Sequence, residues 1–168
     1  MRFLLLIISP FVMLLFSCES RQYINNYANR IDSLSQSLEA SASLYESIDT
    51  AEISKQLQLI SEQYLLLTDQ GTTNPSESVQ RIKTIKKGFE EFLTTNPSLC
   101  TEVDYARSQL LQFKHDLQKE YLTEKNASIY FEQEKQSVHV VQLKIAYQIK
   151  LVNLTYKKYE VIKTDWEN

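Results

Sequence analysis

Hydrophobic residues recur along most of the chain at steps of three and four, the spacing of one face of an α-helix. Polar residues fill the positions between them. Five such segments cover residues 24–48, 53–67, 79–92, 103–121 and 138–159. The pattern predicts an all-α protein, an elongated bundle of four or five helices with coiled-coil-like packing.

Glycine and proline, which build the special turns of most sheet proteins, are rare in this chain. Its 168 residues include two glycines and three prolines. Two of the prolines stand in a repeated pentapeptide, Thr-Thr-Asn-Pro-Ser, at 72–76 and 94–98. We predict two similar loops there, because Asn before Pro is typical of a turn or a helix start. Asp49-Thr50-Ala51-Glu52 predicts the start of a further helix.

The segment 138–162 fits two kinds of secondary structure. Its helical stripe competes with an alternation of apolar and polar residues between Leu143 and Leu151, as in a strand. We predict a helix, because no Gly or Pro is present to turn a hairpin and a single strand of this length is unusual. The helix then carries a second apolar face, made of Val140, Leu143, Tyr147, Leu151 and Leu154.

This last segment is also cationic. No acidic residue occurs from Gln136 to Tyr159, and the segment contains Lys144, Lys150, Lys157 and Lys158. Such a surface packs on acidic helices, contacts anionic lipid or binds a protein. We favour internal packing for the segment as a whole, and take Leu143, Tyr147, Leu151 and Leu154 as the candidate partner-binding face.

The first seventeen residues have a different pattern. Arg2 precedes an apolar run from Phe3 to Phe16 that only Ser9 and Pro10 interrupt. The run is at the long end of the ~7–15 residues of a signal-peptide core and shorter than the ~20 that span a bilayer. We interpret residues 1–17 as a secretion signal.

The end of this segment, Leu15-Phe16-Ser17-Cys18, resembles the lipobox of bacterial lipoproteins. The resemblance covers residues 1–18. It implies cleavage before Cys18, a thioether-linked diacylglycerol on its thiol and an acyl group on the new N-terminus. Acyl chains contribute about 0.8 kcal/mol per buried CH₂, so they would hold the mature chain at a cell-envelope membrane, on its periplasmic face or at the outer membrane.

We therefore divide the chain into three parts. Residues 1–17 form the lipoprotein signal peptide, residues 18–48 a lipid-anchored N-terminal helix or serine-rich stalk, and residues 49–168 the helical bundle domain.

The net charge and the reactive residues argue against several classes of function. Cleavage removes one basic residue, Arg2, so the net charge of −3 becomes −4, which argues against a nucleic-acid partner. Two glycines cannot form a phosphate-binding loop. Neither His115, expected to face solvent, nor His139, expected to be partly buried, stands in a metal-binding motif. We interpret Cys100 as a small buried side chain, and predict no catalytic residue, cofactor or metal site.

Ten tyrosines are many for a helical chain, and tyrosine is favoured where an apolar surface meets water. Tyr23 and Tyr27 are candidates for contact with lipid headgroups, and Tyr147, Tyr156 and Tyr159 for an interface. The alternative is a position at the rim of the core.

These features predict a non-enzymatic lipoprotein, an adaptor or accessory subunit that binds another envelope protein, with self-association left open. One alternative is an inhibitory lipoprotein of the immunity or exclusion type. Another is a small-ligand receptor or a hydrolase on a helical scaffold.

Overall fold

Helices account for almost all of the described structure. The computed structural model describes the backbone of residues 2–69 and 77–167, and the side chains of residues 22–69 and 77–164. Within these ranges there is no strand, and the four helices are α1 (Arg2–Glu46), α2 (Thr50–Thr68), α3 (Glu77–Gln118) and α4 (Glu124–Glu167). The predicted all-α bundle is confirmed. None of the helices in the described residues has the length and apolar character needed to cross a membrane.

Asp49 starts α2 as the sequence predicts. Its Oδ1 accepts hydrogen bonds from the backbone N–H groups of Ala51, at 3.0 Å, and Glu52, at 2.9 Å. These donors belong to the first turn of a helix, where no backbone acceptor is available. The cap therefore separates α2 from α1, which ends at Glu46.

The predicted loop at residues 94–98 is wrong, because these residues lie inside α3 and Pro97 is an exposed residue of that helix. Phe92, Leu99 and Val103 are buried on the face that continues through this region. A proline inside a helix costs about 3 kcal/mol. Burying large apolar side chains contributes about 1.5–3 kcal/mol each, so packing on both sides of Pro97 offsets that cost. The other copy of the pentapeptide, at 72–76, lies outside the described residues.

The predicted helix over residues 138–162 is confirmed. Its buried side chains follow alternating steps of three and four, the heptad spacing of coiled coils: Val138, Val141, Ile145, Gln148, Val152, Thr155, Tyr159 and Ile162. In the sequence, Ile149 and Tyr156 are the apolar residues four positions after Ile145 and Val152, and the helical spacing alone predicts them on this stripe. Both are half-buried, and Gln148 and Thr155 take the central positions.

Met1–Glu39 and Asp104–Val140 form one compact unit. In it, Tyr27 packs on Phe131 with ring centroids 5.9 Å apart. The Tyr23 hydroxyl donates to the carbonyl oxygen of Leu122 at 2.8 Å. The proposed contact with lipid headgroups is therefore wrong for Tyr27, because its side chain is buried inside the unit. For Tyr23, which is half-buried, it stays a prediction.

Ala40–Val103 and Val141–Asn168 form the second compact unit. Aromatic rings make much of its core: Tyr45 meets Phe92 edge-on with ring centroids 5.9 Å apart, and Phe89 meets Tyr156 in the same way at 5.1 Å. The surfaces described below all belong to this unit. The predicted division of the mature chain into residues 18–48 and 49–168 stays a prediction.

Candidate functional site

The predicted lipid-attachment residue, Cys18, falls within α1 but outside the residues whose side chains are described. Residues 2–17 of the predicted signal peptide, residues 1–17, also fall within α1, and their side chains are not described either. Lipid attachment and export stay predictions.

The predicted partner-binding face of α4 is largely exposed. Leu143 is 56% exposed, Tyr147 55% and Leu154 47%, while Leu151 is half-buried. The exposed Val161 extends the same face toward the end of the segment. We call the whole set the outer strip: Leu143, Tyr147, Leu151, Leu154 and Val161.

The position of the outer strip follows from the heptad register of α4. Leu154 immediately precedes the buried Thr155, and Val161 immediately precedes the buried Ile162. Since each residue turns about 100° around the helix, most strip positions lie on the outer side of α4, turned away from its core stripe. Apolar residues on the outer side of a helix whose core side is already filled are typical of a helix that packs against more than its own neighbours.

A first groove of about 390 Å³ lies between α3 and α4, lined by Thr95, Ser98, Leu99, Glu102, Leu143, Lys144, Tyr147 and Gln148. Two polar contacts fix its edges. The Tyr147 hydroxyl donates to Glu91 Oε1 at 2.8 Å, and Lys144 Nζ donates to Glu102 Oε2 at 2.6 Å. The hydrogen bond to the Glu91 carboxylate raises the pKa of Tyr147, because the carboxylate holds the phenol proton.

Gln148 is a site residue that the sequence analysis missed. It lines the first groove, it is 4% exposed, and its Oε1 has no hydrogen-bond partner among the described residues. A buried polar atom without a partner costs about 1–3 kcal/mol. The sequence contained a signal for it. Gln148 stands three residues after Ile145 and four before Val152, so a polar residue occupies a position of the apolar heptad stripe.

A second groove of about 540 Å³ lies further along the same two helices. It is lined by Arg81, Thr84, Ile85, Leu154, Lys157, Lys158, Val161 and Ile162. The apolar side chains are accompanied by three cations. Arg81 pairs with Glu77 at 2.5 Å, and no ion pair within the described residues includes Lys157 or Lys158. The groove therefore favours an apolar ligand that carries negative charge.

Some residues of the cationic segment of α4 pack inside the protein, and others are exposed to solvent. Its buried heptad stripe packs internally, as we favoured, and Lys144 pairs with Glu102 of α3. Lys150, Lys157 and Lys158 are exposed, together with most of the outer strip.

The three candidate interface tyrosines also differ in how far they are buried. Tyr147 is exposed, but Tyr159 is buried and Tyr156 is half-buried. The rings of both Tyr156 and Tyr159 meet Phe89, at centroid distances of 5.1 and 6.3 Å. The interface prediction is therefore wrong for Tyr159, which belongs to the core, and for the half-buried Tyr156 it stays a prediction.

The remaining reactive residues are dispersed. His115 is exposed as predicted, and its Nδ1 lies 3.3 Å from Asp116 Oδ1. His139 is exposed, so its predicted burial is wrong: it follows the buried Val138 on the solvent side. Cys100 is half-buried, so its predicted burial is only partial, and its Sγ lies 3.8 Å from Asn96 Oδ1. In the part of the chain that the structure describes, no group of three or more His, Cys, Asp or Glu side chains is placed to hold a metal ion.

Comparison of the chain with protein families, with curated proteins and with solved structures gives no match.

Proposed function

We propose that this protein is a lipid-anchored adaptor of the bacterial cell envelope that holds or modulates another envelope protein through the outer strip of α4. The observation that carries the proposal is the strip itself. Most of its apolar side chains are exposed, and they follow one face of a helix whose core side is already filled. Contiguous exposed apolar patches mark interaction sites, because soluble proteins otherwise keep such patches small.

The resemblance of residues 15–18 to a lipobox supports the location. A lipid on Cys18 would place the chain at a membrane, where its partner would be another protein of the same compartment.

Leu143 and Tyr147 form the centre of the proposed contact, at the first groove. Tyrosine is enriched among the residues that dominate binding energy, since its ring gives a large apolar area and its hydroxyl a hydrogen bond. A donor group of the partner that reaches the Gln148 amide would also remove the cost of its unpaired Oε1. An inhibitory lipoprotein would use the same strip and differ only in the effect on its target.

The test of the adaptor function is site-specific photocrosslinking in cells with the full chain. A crosslinker at Leu143 is expected to give an adduct with one envelope protein. The matched control is Leu111 of α3, which is 70% exposed and lies in the other unit. No adduct at position 143, or the same adducts at both positions, would contradict the proposal.

Substitution gives the corresponding loss of binding. Leu143→Glu is expected to abolish capture of that protein while the circular dichroism of the chain stays unchanged, because the side chain is exposed. Leu111→Glu introduces the same charge and is expected to retain capture. If Leu143→Glu unfolds the chain, Leu143 belongs to the core and the proposal fails.

The anchor is tested separately. Cys18→Ser is expected to abolish incorporation of labelled fatty acid, and Cys100→Ser is expected to leave it unchanged. Undiminished labelling of the Cys18→Ser chain would contradict the lipid anchor.

A further inference from the structure

α2 presents an exposed face that is both apolar and acidic. Leu65 is 65% exposed, Leu66 61% and Leu59 43%. Glu62 and Asp69 are exposed beside them, and both line one surface depression with Leu65 and Leu66. We call this set the acidic face: Leu59, Glu62, Leu65, Leu66 and Asp69.

The acidic face follows the helical repeat. Leu59, Glu62 and Leu66 are spaced by three and four residues, so they lie on one side of α2. Among the described residues, neither Glu62 nor Asp69 takes part in an ion pair. The face therefore keeps its negative charge available to a ligand or a partner.

The second groove has the complementary chemistry. Its cations Lys157 and Lys158 stand beside the exposed apolar side chains Leu154 and Val161. The acidic face thus combines carboxylates with leucines, and the second groove combines lysines with apolar side chains, so the two surfaces are complementary. Within one copy the two surfaces do not cover each other, since the side chains of both remain exposed.

We propose that α2 of one copy of this chain docks in the second groove of another copy. Its leucines would cover Leu154 and Val161, and its carboxylates would face Lys157 and Lys158. An amphipathic helix in a groove is a recurrent mode of recognition in which apolar residues at helical spacing act as anchors. If a two-fold axis relates the two copies, α2 of each copy docks in the groove of the other. The contact is then made twice, and the assembly is a closed dimer.

This self-association uses one end of the outer strip, Leu154 and Val161, whereas the proposed adaptor contact has its centre at the first groove. Leu143 and Tyr147 line the first groove and take no part in the contact between copies. A partner bound at the first groove and a second copy bound at the second groove can therefore be lost independently by substitution.

The test is a charge swap in the full chain, solubilised from membranes in detergent. Two differently tagged copies are expressed together, and the fraction that purifies as a mixed pair is measured. Lys157→Glu/Lys158→Glu makes the groove acidic, and Glu62→Lys/Asp69→Lys makes the α2 face basic. Each double variant alone is expected to lower self-association at least about tenfold, because like charges then meet in both contacts.

Mixing the two double variants is the decisive measurement. In the mixed pair an acidic groove meets a basic α2 face, and the unchanged groove meets the unchanged face, so pairing is expected to return. The matched control is Lys150→Glu/Lys163→Glu, which makes the same charge change on α4 outside the groove and is expected to preserve pairing.

Three results would overturn the proposal. The first is a wild-type chain that does not pair, and the second is a control that loses as much pairing as the groove variant. The third is a mixture that stays unpaired although both variants retain the circular dichroism of the wild type. Crosslinking from Leu143 reports the adaptor function in the same samples, so failure of one proposal is distinguishable from failure of the other.

Discussion

Gly88 of α3 lies directly against Thr155 of α4. A Cβ atom at position 88 would collide with Thr155 Oγ1, and would lie 3.1 Å from its Cγ2 and 3.3 Å from its Cβ. The Thr155 hydroxyl donates to the carbonyl oxygen of Leu151 at 2.8 Å, which holds the side chain in this orientation. The missing side chain at position 88 therefore allows α3 and α4 to approach closely.

We expect Gly88→Ala to destabilise the protein by about 1–3 kcal/mol, because the added methyl group overpacks this contact. In an unpacked helix the same change would stabilise by about 1 kcal/mol, so the sign is diagnostic. Urea denaturation followed by circular dichroism measures it. In the double variant Gly88→Ala/Thr155→Ala the two losses should be less than additive, since the colliding atoms are gone. A higher midpoint for Gly88→Ala alone would contradict the close contact.

Tyr45→Phe is expected to stabilise the protein by about 1 kcal/mol. Tyr45 is buried, its hydroxyl has no hydrogen-bond partner among the described residues, and burial raises its pKa to about 12. Removing the hydroxyl removes the cost of its desolvation, while the ring stays against Phe92. The control is Tyr23→Phe, which loses the hydrogen bond to Leu122 and is expected to destabilise. Equal effects of the two substitutions in urea denaturation would refute this assignment.

Gln148→Leu is expected to change stability and partner binding in opposite directions. We expect it to raise the free energy of unfolding by about 1–3 kcal/mol, because an unpaired buried oxygen is replaced by an apolar side chain of similar size. We also expect weaker capture of the crosslinked partner. Gln142→Leu is the control: Gln142 Nε2 donates to Ser41 Oγ at 3.3 Å, so its loss should lower stability. A Gln148→Leu chain that binds its partner as well as the wild type would exclude a role for the amide.

Glu134 provides a prediction for pH. It is half-buried, and burial raises the pKa of its carboxyl above the ordinary value of 4.5. The folded chain therefore binds this proton more tightly than the unfolded chain, so ionisation of Glu134 lowers stability at neutral pH. The penalty is complete above the folded-state pKa and disappears as the pH falls through it toward 4.5.

We accordingly expect Glu134→Gln to raise the urea midpoint at pH 7, by less than about 1 kcal/mol in free energy, and to have a smaller effect near pH 4.5. Glu132→Gln, which removes an exposed carboxylate paired with Arg30, is the control and should give no gain at pH 7. A Glu134→Gln gain that grows on acidification would have the wrong sign.

Local signals predicted the helices well. The cap at Asp49 and the heptad spacing over residues 138–162 depend on neighbours a few positions away in the chain, so the sequence contains them in full. Pro97 shows the limit of such signals. Its local preference for a turn was overridden by the burial of Leu99, and that burial depends on helices far away in the chain.

The candidate surfaces depended even more on tertiary structure. Periodicity identified the second apolar face of α4, but it could not show that Tyr147 is exposed while Tyr159 is buried. A shift of one residue around a helix moves a side chain by about 100°, and the neighbouring helices decide which side of that turn is covered.

The sequence by itself determined the all-α class, the start of α2 and the apolar and cationic character of the last helix, because these follow from local spacing and composition. Only the tertiary structure decided that α3 continues through Pro97, that Thr155 packs directly against Gly88, and that Gln148 is buried. The reason is physical: burial, close approach and hydrogen-bond satisfaction are properties of pairs of helices, and one stretch of sequence specifies only one member of each pair.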